Sequence, residues 1–196
     1  GRARLRRAVD EAGLASRVRL VHRAFELDPS RAPVAGEPVL DMLASKYGMS
    51  TAQAVQADAR VAGLCRAEGL PYAGDRRVGG TLLAHRLVLA AAEQGRDQAL
   101  LDELFAAHFG QGRDIFSATD LLEPAAVAGI DAGAVARALE GEAHLDAVRA
   151  DEREAHELGA GGVPFVVLGR RVAVPGAQEV ATFVSALGQA LSALES

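Results

Sequence analysis

The sequence predicts a mixed α/β fold that carries a large all-helical insertion. One strand pattern lies near the start of the chain, and two short strands with a final helix lie near its end. Residues 38–158, between these parts, show only helical patterns. So many helices between one strand and the next favour a helical subdomain inserted into an α/β core. The predicted organisation is a first core part at 1–30, the insertion at 38–158 and a second core part at 159–196.

The first core part is predicted to be a helix followed by a strand. Residues Arg2–Ala12 place apolar side chains at helical spacing, with arginines on the other face, and Gly13 stops the helix. Residues Val18–Leu27 alternate loosely, with a change of phase before Phe25, and an Asp-Pro pair ends the strand. A helix and a strand at this spacing are typical of the second half of a βαβ unit.

The insertion is predicted to consist of helices divided by glycine-containing turns. Capping boxes indicate the starts of two of them, Ser50 with Gln53 and Ser117 with Asp120, and Asp131 is the predicted cap of another. The predicted helices are Pro38–Tyr47, Thr51–Glu68, Thr81–Gln94, Asp97–Phe109, Thr119–Ala128, Ala132–Leu139 and Glu142–Leu158.

The second core part is predicted to be a β-hairpin followed by the last helix, Glu179–Leu194. Two β-branched runs, at 163–168 and 171–174, flank the turn pair Gly169-Arg170. Pro164 supplies no N–H to a ladder and so belongs at a strand start or an edge. It also favours an extended conformation at Val163, which leaves the backbone N–H and C=O of Val163 available to a partner outside the sheet.

Several stretches of the sequence resemble a known family. Gly-Val-Pro-Phe from residue 162 and Ala-Val-x-Gly-Ala-Gln from residue 173 resemble the cis-proline loop and final hairpin of thioredoxin-fold proteins. More narrowly, they resemble the DsbA-type branch that includes FrnE-like disulfide oxidoreductases and 2-hydroxychromene-2-carboxylate isomerases. Thr81-Leu-Leu-Ala-His-Arg-Leu and Phe109-Gly-Gln-Gly-Arg-Asp-Ile also match the FrnE-like pattern, so the resemblance covers nearly the whole chain. Two positions depart from it: Gly80 stands where asparagine is common, and Pro175 where serine is usual.

The resemblance implies a thioredoxin-like fold whose helical insertion covers the active site. It implies a cis Val163–Pro164 bond and a Val163 backbone that pairs with a substrate peptide or with glutathione. Pro164 and Val163 are therefore the expected catalytic residues, and Val163, Thr81 and His85 the expected substrate-binding residues. The residues themselves leave two alternatives open: an ordinary trans proline that opens an edge strand, and a packed or surface histidine at position 85.

The resemblance also implies residues that this sequence does not contain. In the family, the central strand precedes the first helix and runs into Cys-x-x-Cys, and Gly1-Arg-Ala-Arg-Leu looks like the continuation just beyond that motif. We therefore expect a fragment that lacks its first strand and the redox motif, because two parallel strand edges would otherwise face each other without partners. A trimmed but functional variant is the alternative.

Composition limits the function further. The net charge of -5 argues against general nucleic-acid binding, and no apolar run approaches membrane-spanning length. A single cysteine excludes an internal disulfide framework and a Cys-rich metal site in the chain as given, so no metal and no resident cofactor is expected. Cys65 is interpreted as a small buried hydrophobic residue. The arginines at positions 2, 4, 6 and 7 are interpreted as a solvated helix face, and a cytoplasmic location is expected.

Three functions stay open on these grounds. The leading one is a DsbA-like thiol–disulfide oxidoreductase, in which an upstream thiolate attacks a disulfide docked on Val163. The second is a glutathione-dependent 2-hydroxychromene-2-carboxylate isomerase or a kappa-type glutathione transferase, with glutathione as co-substrate. The third is a redox-inactive binding module. The expected partner is a protein or small-molecule disulfide or thiol, neither nucleic acid nor a membrane is expected, and a homodimer is left open.

Overall fold

The computed structural model describes residues 1–195. In chain order the elements are α1 (Arg2–Glu11), α2 (Val39–Tyr47), α3 (Thr51–Ala67), α4 (Leu82–Glu93), α5 (Asp97–Phe105), a π-helical segment (Ala106–Gly110), α6 (Ala118–Val127), α7 (Ala132–Glu140), α8 (Leu145–Glu157), β1 (Phe165–Leu168), β2 (Val172–Pro175) and α9 (Val180–Glu195). The predicted mixed α/β fold with a helical insertion is confirmed.

The chain divides into two compact units. We call Gly1–Leu27 together with the segment from Glu152 onwards the sheet unit, and Asp28–Asp151 the helical unit. The division falls inside α8, whereas the predicted insertion ends at residue 158.

The predicted helices are present, and only two of them differ at an end by more than one residue. Ser50 and Ser117 both form complete capping boxes, as predicted, and the side chain of Asp131 accepts from the Ala134 N–H. The predicted helix at 97–109 is α-helical only to Phe105 and then widens into the π-helical segment. Helix α8 begins three residues later than predicted, because His144 has a φ of 64°, a left-handed conformation that no α-helix contains.

The predicted strand at Val18–Leu27 is wrong. This segment forms no β-ladder, and the sheet of residues 1–195 consists of β1 and β2 alone. Side chains at even-numbered positions from 18 to 26 nevertheless face inward, and those at odd-numbered positions are mostly exposed. The prediction that the inward side changes from even-numbered to odd-numbered positions before Phe25 is also wrong, because Glu26 is buried and Leu27 is exposed. The alternation resembled a strand, but a strand also requires a neighbour that pairs with its backbone.

In the sheet unit, α1 packs against α9, α9 packs against both strands of the hairpin, and all four elements contribute to one core. The apolar residues of the two helices recur at helical spacing, so each helix has one buried face. The turn of the hairpin uses Gly169 and Arg170, whose φ values of 56° and 57° are those of a type I′ turn. The core residues of this unit include Leu5, Ala8, Val9, Leu168, Val174, Phe183, Ala186 and Leu187.

In the helical unit, helices α4 to α7 enclose a separate core, with Leu87, Leu100 and Leu121 fully buried. Arg86 is also buried. Its Nε donates to the Ala143 carbonyl at 2.8 Å and its Nη2 to the Gly141 carbonyl. Burial lowers the pKa of Arg86, and the two carbonyls compensate part of the cost of burying the charge. The arginine of the family-like Ala-His-Arg-Leu stretch therefore holds the loop between α7 and α8.

A second polar network joins α3 to the connection between α3 and α4. The Nη2 of Arg76 lies 2.7 Å from Asp58 Oδ1 on α3, and the pair is nearly buried. The Tyr72 hydroxyl donates to the same carboxylate oxygen and also contacts the guanidinium of Arg76, which lies over the Tyr72 and Phe109 rings. Burial, and then the bond to Asp58, raise the pKa of Tyr72 far above its usual range. Tyr72 is thus a hydrogen-bond donor at any physiological pH.

Gly80 lies where two chain segments approach closely. Its N–H donates to the Ala32 carbonyl at 2.8 Å, in a ribbon that also joins Gly36 to Val78. A Cβ atom at position 80 would lie 2.3 Å from the Arg31 carbonyl oxygen and 2.8 Å from that of Ala32. This backbone approach accounts physically for the glycine at a position where the resembling family commonly has asparagine.

We predict that Gly80→Ala lowers the free energy of unfolding by roughly 1–3 kcal/mol, because the added Cβ forces the Arg31–Ala32 backbone to move. The control is Gly74→Ala in the same connection, where the nearest atom to a new Cβ is 3.9 Å away. Urea unfolding of the two variants measures the difference. Equal stability of the two variants would contradict the close approach.

His108, in the π-helical segment, is half-buried and packs against two aromatic rings. Its ring contacts Phe109 and Phe116 edge to face, and its Nδ1 lies 3.1 Å from the Arg113 carbonyl oxygen. Burial lowers the pKa of His108 below its ordinary value, and the nearby charge of Arg76 acts in the same direction. The folded protein therefore favours the neutral imidazole.

We predict that acidification destabilises the protein in part through His108. As the pH falls from about 7.5 to about 5.5, the unfolded chain binds the proton first, so the free energy of unfolding decreases. The decrease is expected to be smaller in His108→Gln, as measured by urea unfolding at both pH values. An NMR titration of the His108 ring that gives a pKa at or above 6.5 would overturn this expectation.

Candidate active site

The Val163–Pro164 peptide bond is cis, the form that the resemblance implies. Strand β1 begins at the next residue, Phe165. Val163 is 53% exposed. Within residues 1–195, neither its N–H nor its C=O takes part in a hydrogen bond. The backbone of Val163 is thus accessible to an external partner.

Pro164 lies against the first residue of the chain. A Cβ atom at Gly1 would be 2.7 Å from Pro164 Cγ and 3.0 Å from Pro164 Cβ, so glycine allows this contact. Helix α1 begins at the next residue, and the N–H groups of its first turn favour a negative charge beside them. The exposed backbone of Val163 is therefore one residue from a position that favours an anion.

The chain segment after β2 supports the other side of Pro164. Gly176 has a φ of 79°, and its N–H donates to the Pro164 carbonyl at 2.8 Å. The side chain of Gln178 donates to the Pro175 carbonyl at 2.7 Å. Both residues belong to the Ala-Val-x-Gly-Ala-Gln stretch, so the structure gives this stretch the role of closing the base of the hairpin.

Arg4 is a site residue that the sequence interpretation missed. Its side chain is only 12% exposed, and its Nη1 lies 2.7 Å from Glu179 Oε1 and 3.2 Å from the Ala177 carbonyl oxygen. The interpretation of Arg4 as part of a solvated face is therefore wrong.

The family model for the DSBA-like thioredoxin domain matches residues 1–188. The chain belongs to this family. Among solved structures, it is similar to a probable DsbA oxidoreductase of Streptomyces coelicolor, with 45% sequence identity and a TM-score of 0.93. The match covers 97% of this chain and 83% of that one. A comparison with curated proteins finds no match.

Within residues 1–195 the edge of the sheet along β1 is open. Because Gly176 donates to Pro164, hydrogen-bonded pairs alternate along the hairpin, and the N–H and C=O groups of Phe165 and Val167 point away from β2. No strand of residues 1–195 pairs with them. The side of β1 that continues from Val163 can therefore accept a further strand.

Two predicted site residues lie in the helical unit. Thr81 precedes α4, and its carbonyl accepts from the His85 N–H at 3.0 Å, so the two lie one helical turn apart. Both are half-buried. Their predicted role in lining a groove opposite Val163 stays a prediction.

Cys65 is a free cysteine on α3 and is half-buried rather than fully buried as interpreted. Across residues 1–195, no three or more histidine, cysteine, aspartate or glutamate side chains are grouped so that they could hold a metal ion. Nor does any helix in this range have the length and apolar character needed to cross a membrane.

We predict that Gly176→Ala lowers the free energy of unfolding by about 1–2 kcal/mol, because a side chain is strained at this left-handed position. The expected control is Gly188→Ala on α9, where a new Cβ meets no atom within 4 Å and the stability should stay equal or rise. Thermal unfolding of both variants tests this. A loss as large in Gly188→Ala would show that the effect is not specific to the loop.

Proposed function

We propose that the full-length protein is a DsbA-like thiol–disulfide oxidoreductase of the FrnE-like branch. A single observation carries this proposal: the exposed, unpaired backbone of Val163 adjoins Pro164, which lies against the residue that precedes α1. This arrangement puts a docking edge for a polypeptide beside a position that favours a thiolate. The family membership and the oxidoreductase neighbour support the same activity.

The thiolate would come from a Cys-x-x-Cys motif that we propose just before Gly1. At the N-terminal end of α1 the helix dipole lowers the pKa of such a thiol and raises the share of reactive thiolate. The thiolate attacks one sulfur of the substrate disulfide, forms a mixed disulfide and releases the other substrate sulfur as a thiolate. The second cysteine of the motif then attacks the mixed disulfide. The substrate leaves reduced and the motif is oxidised, and the reverse sequence oxidises a substrate dithiol.

Val163 would bind the substrate by main-chain pairing. An extended peptide can donate one N–H to the Val163 carbonyl and accept from the Val163 N–H, as in strand addition to a sheet edge. Such bonds use only backbone groups and therefore admit substrates of different sequence. We propose that Thr81 and His85 are further substrate-binding residues, as the resemblance implies, and that no resident cofactor is required.

We predict that full-length protein reduces insulin disulfides in the presence of a thiol reductant, whereas residues 1–196 alone show only background turnover. The reason is that Cys65 is the single thiol of this sequence and lies on α3 without a second cysteine that could resolve a mixed disulfide. Circular dichroism first verifies that both proteins are folded. Cys65→Ser should leave the full-length activity unchanged.

Matched variants of Val163 test the docking step in the full-length protein. Val163→Ala keeps both backbone groups and should retain the KM of the parent. Val163→Pro removes the N–H and should raise the KM about tenfold, the effect of one lost hydrogen bond. Equal KM values for the two variants would argue against docking on Val163. Turnover of a hydroxychromene carboxylate with glutathione, without insulin reduction, would instead favour the isomerase.

A further inference from the structure

We propose that Arg4 is a positioning residue for the Val163–Pro164 docking edge. This inference rests on the function proposed above, because it assigns Arg4 a part in substrate binding at that edge. Arg4 contacts neither Val163 nor Pro164 in any bond that the structure gives. It acts through the segment 175–179, which joins β2 to α9.

The guanidinium of Arg4 binds three consecutive residues of this segment. Its Nη1 lies 2.7 Å from Glu179 Oε1, 3.2 Å from the Ala177 carbonyl oxygen and 3.4 Å from the Gln178 carbonyl oxygen. The Arg4 side chain is 12% exposed but that of Glu179 is 77% exposed, so solvent screens the ion pair, and the charge-assisted bonds to the two carbonyls carry the positioning. A single side chain of α1 thus holds the three residues that precede α9.

The other end of the same segment holds the docking edge. The Gly176 N–H donates to the Pro164 carbonyl at 2.8 Å, and Gly176 adjoins Ala177, which Arg4 binds. The Arg4 guanidinium and the Pro164 carbonyl are therefore bound to neighbouring residues, Ala177 and Gly176. Movement of Ala177 away from Arg4 would carry Gly176 with it and loosen the carbonyl of Pro164, next to Val163.

Arg17 provides a matched control within the same unit. It also pairs with α9, at Glu195, but the separation is 3.6 Å and both side chains are mostly exposed. Such exposed pairs contribute little. Arg17→Met therefore removes an arginine that reaches the same helix without touching the segment 175–179.

The experiment compares Arg4→Met, Arg4→Lys and Arg17→Met in the full-length protein. Hydrogen exchange of the Gly176 amide, followed by NMR, reports the bond to Pro164 directly. We expect Arg4→Met to lose protection at Gly176 by about tenfold, with Arg4→Lys between it and the parent and Arg17→Met unchanged. In the insulin assay, Arg4→Met should raise the KM about tenfold and leave kcat within about twofold, because docking and not chemistry is weakened.

Each outcome bears on a separate claim. Unchanged protection of Gly176 in Arg4→Met, or an equal loss in Arg17→Met, would overturn the inference. If only Arg4→Met loses protection of the Gly176 amide, but the unsubstituted full-length protein has no thiol–disulfide activity, the proposed function is rejected. The role of Arg4 in substrate docking is then rejected with it. A fall in kcat at constant KM would also overturn positioning. If Arg4→Met does not fold, the Gly176 exchange rate and the KM of Arg4→Lys test the inference instead.

Discussion

The hydrogen bond from the Gly176 N–H to the Pro164 carbonyl is the interaction on which the candidate site depends. It joins the residue after β2 to the residue before β1, and so closes the hairpin at its open end. Because Pro164 has no N–H, this is the one ladder bond that the pair can form. With that bond in place, Pro164 is held between Gly176 and Gly1, and Val163 projects beyond the last paired residue.

Nearly buried arginines recur where loops need hydrogen-bond donors. Arg4 donates to the carbonyl of Ala177, Arg76 to that of Ala73, and Arg86 to that of Ala143. Loop carbonyls have no ladder or helix partner of their own, and leaving them unpaired inside the protein is costly. A guanidinium carries five donors in a fixed plane and can serve a carbonyl and a carboxylate together. Arg4 and Arg76 both do so, with Glu179 and Asp58 respectively.

Local signals made much of the fold predictable. The capping boxes at Ser50 and Ser117, and the turn at Gly169, are encoded within a few residues, and the helices and hairpin followed from them. The segment at 18–27 could not be predicted in the same way, because its alternation describes side-chain burial and says nothing of a pairing neighbour. In the site, the roles of Val163 and Pro164 could be predicted from the residues that flank them in the sequence. That of Arg4 could not, since its partners at 177–179 lie far along the chain.

The hydrogen bond of Gln178 has a consequence for how the sheet can grow. The outer side of β2 would offer the groups of Ala173 and Pro175 to a passing strand, but Pro175 has no N–H and its carbonyl is already bound by Gln178. Only Ala173 remains, too little for a register of main-chain bonds. Any strand that extends this sheet must therefore add beside β1, the side on which the resemblance places the central strand of the family, and edge-to-edge stacking through β2 is discouraged.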